Sequence, residues 1–268
     1  MLDSLTLKQI SLLKSKNKSL KILISVGGAK FQGFSSMTSK HSSRKLFIKS
    51  VIDLFKKLDI DGIDLDWEWP GLNGDFKEKI NFFKLLFELR KVFKKHSKYY
   101  ILSADVSSSK QISELAYFIP YLAKYVDFVN VMCYDYHFFS KWYPFTGHNS
   151  ALYSSDNSVS PFFFNVNNSI NYWISQSMPK DKIVLGVPTF GHSYKLLSQD
   201  KVHLHAPAIG NGELGNDGFV FYSEICQFTK ETNVSIVFDN TSKVPYAYKF
   251  PNWISYEDER SVTHKIES

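Results

Sequence analysis

Between Asp61 and Pro70 the chain reads D-G-I-D-L-D-W-E-W-P, and few folds accommodate that run. Successive residues of a β-strand point to opposite faces, so strict alternation marks a strand. Asp64, Asp66 and Glu68 then share one face, and Ile63, Leu65 and Trp67 share the other. Three carboxylates follow one another at about 6.5–7 Å, twice the rise per residue of a strand. Alternation alone also fits an edge strand whose acidic face is solvated. Two features favour burial. The strand lies between two long amphipathic stretches, as in a parallel α/β sheet. Its acidic end runs straight into Trp-Pro-Gly, a loop at the C-terminal end of the strand, where α/β folds place their active sites. If the acidic face is buried, like-charge repulsion requires at least one carboxyl to hold its proton near neutral pH. A protonated carboxyl beside an ionised one is the equipment of glycoside hydrolysis.

The 268 residues suffice for one large domain, or for a domain with an insertion. Aromatic residues are abundant, with 23 Phe, 15 Tyr and 5 Trp, which serve a hydrophobic core and also suit a groove where flat rings stack on sugars. A net charge of +6 permits acidic partners. The lysines, however, are spread along helical stretches (Lys14, Lys16, Lys18; Lys56, Lys57; Lys91, Lys94, Lys95), and no nucleic-acid recognition motif accompanies them. Cys133 and Cys226 are too few for a disulfide scaffold and lack metal-ligand spacing. No apolar run reaches the roughly 18–20 residues of a membrane span. The N-terminal ten residues lack the charged-then-apolar pattern of a signal peptide. Sequons at Asn17, Asn167, Asn233 and Asn240 are acceptors for glycosylation in an exported chain.

Hydrophobic spacing predicts helices over 5–16, about 42–58, about 75–95, 112–124 and 166–176, and strands over 21–28, 100–106, 126–134 and 183–190. Residues 34–37 read as loop, and a Ser/Asn-rich stretch after Gly147 reads as a long loop. Leu46, Phe47, Val51, Leu54 and Phe55 are expected inward on the second helix, and Ile80, Phe83, Leu86, Phe87 and Leu89 on the third. Alternating β and α units argue for a parallel sheet, open or closed as a barrel. From His192 the rhythm breaks. Residues 192–258, rich in Gly, Pro, Asn and aromatics, carry short strand-like runs at 219–222, 234–238 and 246–249, as in a small α+β insertion. His137, His148 and His192 lie near strand ends without metal-ligand spacing. His203 and His205 read as surface residues on an extended run.

The acidic strand matches D-x-x-D-x-D-x-E and so resembles glycoside hydrolase family 18, the chitinases and chitinase-like proteins. Three further motifs follow in the family's order. Ser25-Val26-Gly27-Gly28 is similar to S-x-G-G, Met132-Cys133-Tyr134-Asp135 to M-x-Y-D, and Gly186 to Gly191 to G-x-P-x-Y-G with Phe190 for the tyrosine. His205 to Asp258 resembles the insertion domain of animal chitinases.

The resemblance implies an α/β fold, a (β/α)8 TIM-barrel catalytic domain with a small α+β insertion domain. It gives residues 1–191 as a partial barrel, 192–258 as the insertion and 259–268 as the start of the return to the barrel. By the same comparison the first, second and eighth strands lie outside this chain, as does a partner for Cys226, so a longer secreted protein is expected. The implied reaction is retaining cleavage of β-1,4 bonds between N-acetylglucosamine units, in which the substrate's own N-acetyl oxygen attacks the anomeric carbon. Glu68 takes the role of general acid and base, Asp66 holds the acetamide N–H, and Asp64 shares a proton with Asp66. Tyr134, Asp135 and Met132 are expected to contact the sugar, with Trp67, Trp142 and Trp253 as further substrate-binding candidates. No metal or cofactor is called for. The expected partner is chitin or its oligosaccharides, with no nucleic acid and no membrane, bound by a monomer. Ala29 stands where family members often carry a tryptophan, which points to short oligomers over long polymers. A non-catalytic sugar-binding member, or an inactive fragment, is the rival expectation.

Overall fold

The structure, a computed structural model, describes residues 4–154 and 164–268. Part of the expected Ser/Asn-rich loop, residues 155–163, lies outside the described residues. The chain begins with helix α1 (Ser4–Lys16), strand β1 (Leu23–Gly27), helices α2 (Gly33–Ser39) and α3 (His41–Leu58), and strand β2 (Gly62–Asp66). Helix α4 (Lys77–Phe93), strand β3 (Ile101–Ser107), helices α5 (Lys110–Ala116) and α6 (Ile119–Tyr125) and strand β4 (Phe128–Met132) follow. Helix α7 (Val166–Ser175) and strand β5 (Ile183–Leu185) complete this alternation.

Two compact units divide the chain. The first comprises 1–131 and 172–184, the second 132–171 and 185–268. In the first, β1 to β5 form a sheet in sequence order, with β1, β2 and β3 parallel. Among the described residues these five strands do not close on themselves. The apolar face of β2 is buried as the alternation requires, with Ile63, Leu65 and Trp67 at most 4% exposed. Trp67 stacks on Phe34 at 5.1 Å and meets the edge of Phe82 of α4 at 5.8 Å.

Several local expectations are corrected. Residues 34–37 are not loop but lie in α2, whose Phe34 is buried against Trp67. The single helix expected over 112–124 is two, because Tyr117 is extended and Pro120 enters at the first turn of α6. Proline has no N–H for an i→i−4 bond. The strand expected over 183–190 stops at Leu185, and a new strand starts at Phe190; Pro188, between them, cannot donate to a ladder. Leu46, Ile80 and Phe87 are exposed, and Ile48, Ile52, Phe82 and Leu85 take the inward places. Phe83 and Phe87 instead join a ring cluster with Tyr121 and Tyr125.

The second unit is built on an antiparallel sheet. Strands β6 (Phe190–Leu196), β7 (Ala208–Asn211), β8 (Phe219–Phe221), β9 (Ser235–Asp239), β10 (Val244–Lys249) and β11 (Asn252–Ser255) run in the order β7-β6-β11-β10-β9, with β8 also paired to β6. Helix α8 (Tyr222–Phe228) follows β8, and α9 (Glu259–Glu267) ends the chain. Adjacent residues of β11 serve opposite faces. Trp253 packs with Tyr194, Leu196, Ala206 and Ala208, and Ile254 with Val220, Ile225, Phe228 and Ala247. The sheet therefore carries apolar packing on both sides. His203 is exposed as expected, but it lies at a bend and not on an extended run, and His205, in the turn that follows, is partly buried.

A buried acidic cluster as the candidate active site

Strand register gathers the acidic residues. In the first unit Ser25 pairs with Asp64 and Asp64 with Ser103, so three neighbouring strands direct these side chains to one face. Asp64 is 7% exposed and accepts at both oxygens: Ser25 donates to Oδ2 at 2.8 Å, and Ser103 to Oδ1 at 2.6 Å. Asn130 of β4 also reaches Oδ1, at 3.4 Å. Burial raises the Asp66 carboxyl above its ordinary value, and the like charge of Asp64 adds to this, while a hydrogen bond with Glu68 pulls it back. The repulsion expected on a buried acidic face is therefore present.

The site depends on close backbone approach at β1. The Gly27 amide region lies so near β2 that a Cβ there would stand 1.9 Å from the Asp66 carbonyl oxygen, and its φ of +126° suits glycine alone. The Gly28 N–H donates to that same carbonyl at 2.9 Å. S-x-G-G thus fixes Asp66 from its backbone.

Glu68 is half-buried and stands two residues beyond the end of β2. The loop that follows is held by Glu78, which is 3% exposed on α4. Its Oε2 accepts from the Gly71 N–H at 2.8 Å, and its Oε1 accepts from Asn73 Nδ2 at 3.2 Å and from the Ser35 hydroxyl.

A fourth carboxyl, which sequence reasoning missed, joins this face. Asp105 lies in β3 one step beyond the Leu65–Ala104 pair, level with Asp66. Asn130 Nδ2 donates to its Oδ1 at 2.7 Å. Burial, then the charge of Asp64, pushes Asp105 up to about 7. The available signal was a single acid inside the apolar run I-L-S-A-D-V-S, next in order to the acidic strand.

The second unit holds the other expected contacts. Met132 ends β4 and is partly buried. Tyr134 is half-buried with its ring edge-on to Phe190 at 5.6 Å. Asp135 adopts φ of 59°, donates its N–H to Asn149 Oδ1 at 2.8 Å and meets His192 Nε2 at 2.7 Å. Trp142 is 98% exposed. Two substrate-binding expectations are corrected by burial. Trp67 belongs to the core beneath β2, and Trp253 is 0% exposed, with its indole donating to the Val202 carbonyl at 3.1 Å. Neither ring offers a face to a sugar. Among the described residues no group of three or more His, Cys, Asp or Glu is arranged to hold a metal ion.

The family model for glycosyl hydrolases family 18 matches residues 3–268. Human chitinase-3-like protein 2 is 37% identical over 96% of this chain and 67% of its own length. Chitotriosidase-1 of Mus musculus is 33% identical over 98% of this chain and 58% of its own. The chain thus spans only part of the length of these relatives, and 11% of the probable chitinase 10 of Drosophila melanogaster, to which it is 34% identical. Among solved structures, the Group IV chitinase of Ostrinia furnacalis in complex with allosamidin superposes with a TM-score of 0.91 at 33% identity, covering 98% of this chain and 72% of that one. Human YKL-39, a pseudo-chitinase with retained chitooligosaccharide-binding properties, matches at 37% identity and a TM-score of 0.90, over 98% of this chain and 74% of that one.

Proposed function

The chain belongs to glycosyl hydrolases family 18 and has the TIM-barrel fold of its chitinase neighbours, and on that premise we propose that it hydrolyses β-1,4 bonds between N-acetylglucosamine units. The observation that carries the reading is Glu68 beside Asp66 at the open end of β2, with the Asp66 carboxyl raised by burial and hydrogen-bonded to Glu68. Glu68 protonates the glycosidic oxygen and then, as a carboxylate, draws a proton from water. The nucleophile is the acetamide oxygen of the substrate, which makes this an exception to the two-carboxylate scheme. Asp66 accepts the acetamide N–H and opposes the positive charge that develops on the ring. Asp64, which accepts from Ser25, Ser103 and Asn130, stands one step deeper on the same strand face.

In this reading Tyr134 donates to the acetamide oxygen, Asp135 binds a sugar hydroxyl, Met132 packs beneath the ring, and Trp142 is an outlying platform. Residues 1–191 are assigned to the barrel and 192–258 to the insertion. The protein is assigned to the extracellular space, acting as a monomer on chitin oligosaccharides.

A second reading is a sugar-binding member without turnover. It is favoured by the likeness to YKL-39 at 37% identity. The test is fluorophore release from a labelled chitobioside, with Glu68→Gln in parallel. Turnover that falls by about a hundredfold or more in the variant is expected for loss of a general acid. Calorimetric binding of chitin oligomers with no turnover would replace the hydrolase reading with the second one.

A further inference from the structure

Asp64 and Asp66 lie on one strand face, and the resemblance implies a proton shared between them. The hydrogen bonds are arranged otherwise. The carboxyl hydrogen bond of Asp66 is to Glu68, and Asp64 acts on Asp66 only as a like charge. The Oδ1 of Asp66 is buried and accepts no hydrogen bond from the protein among the described residues. Asp105 faces Asp64 across the β2–β3 pair, where burial, then the Asp64 charge, and last a side-chain contact with Asp64 raise its carboxyl. Asn130 sits between those two, at 2.7 Å from Asp105 Oδ1 and 3.4 Å from Asp64 Oδ1.

We propose that Asp105 is a positioning residue: it holds a proton against Asp64, and so leaves Asp66 turned towards Glu68 before any substrate arrives. The chemistry follows from donor supply. Asp64 is buried and takes hydroxyl hydrogens from Ser25 and Ser103, and it accepts one more from a neutral carboxyl. Without Asp105 the nearest carboxyl able to supply that hydrogen is Asp66, which would have to turn away from Glu68 to do so. Burial and the Asp64 charge keep Asp105 protonated up to about 7, the range in which this arrangement would hold. The groups that face Asp105 are Asp64 and Asp66 from β2, Asn130 from β4 and the buried Tyr117 that follows α5.

The inference rests on the hydrolase reading for its catalytic meaning, so its test has one arm that needs no turnover. In chain labelled with carboxyl-13C aspartate, one resonance should titrate near pH 7, and the Asp66 resonance should show an inflection at that same pH. Asp105→Asn, which keeps the shape and always donates, should abolish both. In the kinetic arm, Asp105→Ala should lower kcat about tenfold or more at pH 6 through misplacement of Asp66, with KM within about twofold. Asp105→Asn should restore it. The inference is overturned if no aspartate titrates above pH 6, or if Asp66 behaves identically in Asp105→Asn. It is equally overturned if Asp105→Ala and Asp105→Asn have the same kcat. A chain that turns over no substrate removes the hydrolase reading alone, and the resonances still decide the role of Asp105.

Discussion

Ser103 donates its hydroxyl to Asp64 at 2.6 Å, and both side chains are buried. A hydrogen bond to a charged group contributes about 1.5–3 kcal/mol, and its loss here leaves a buried carboxylate short of a donor. Ser103→Ala should therefore cost about 1.5–3 kcal/mol in urea unfolding at neutral pH. Ser25→Ala, at the less buried end of the same carboxylate, should cost less. Equal stability of native chain and Ser103→Ala would show that water replaces the hydroxyl.

Glu78 carries no chemistry of its own but ties α4 to the loop after Glu68. Glu78→Ala leaves the Gly71 N–H without its acceptor, at a cost of about 1–3 kcal/mol. It should also lower kcat more than it changes KM, since the loop places the acid and not the sugar. Steady-state kinetics on a chitobioside would show the split; a pure KM effect would contradict it.

Asp239 gives an acid-dependent contribution. Burial alone would raise its carboxyl, but hydrogen bonds from His148, at 3.0 Å, and from the Ser242 backbone outweigh burial and hold it well below its ordinary 3.8. A depressed carboxyl stabilises the fold above the unfolded value and loses that stabilisation as pH falls through the folded one. Asp239→Asn should thus destabilise by about 1–3 kcal/mol at pH 7, and the difference should shrink steadily below pH 4. Parallel thermal melts from pH 7 to pH 2 would check it, and a constant difference would refute the pairing.

Lys265 and Glu257 form an ion pair with side chains 1% and 5% exposed, and Lys265 also donates to Ser150 Oγ at 2.9 Å. Removing one partner of such a pair strands the other charge in the interior, at about 3–5 kcal/mol. Lys265→Met should show that loss, and the double variant Lys265→Met, Glu257→Leu should recover much of it. A double variant no more stable than the single one would place the value of the pair in its hydrogen bonds and not in charge compensation.

The acidic strand was legible because alternation is a local property. Asp64, Asp66 and Glu68 announce their shared face without knowledge of any neighbour, whereas Gly27 and Gly28 show only a motif, and their close approach to Asp66 appears in the structure. Asp105 showed only as a lone acid in an apolar run, since its place opposite Asp66 comes from the register of β2 with β3, which no stretch of sequence records. Exposure was equally hidden. Trp67, Trp142 and Trp253 look alike as candidate sugar platforms, yet their surroundings bury two and leave one fully open. Phe83 and Phe87 obey helical spacing and still leave the core, because Tyr121 and Tyr125 meet them on the outer face.

Glu68 stands past the last rung of β2, whereas Asp64 and Asp66 are woven into the sheet. A change that moves either aspartate must disturb three strands together. A change between Trp69 and Asp75 can shift the acid by itself. The two halves of the machinery are thus unequally open to variation: the anionic bed is conservative by construction, while the proton donor is adjustable one loop residue at a time. Selection for a different leaving group would find its material in that loop first.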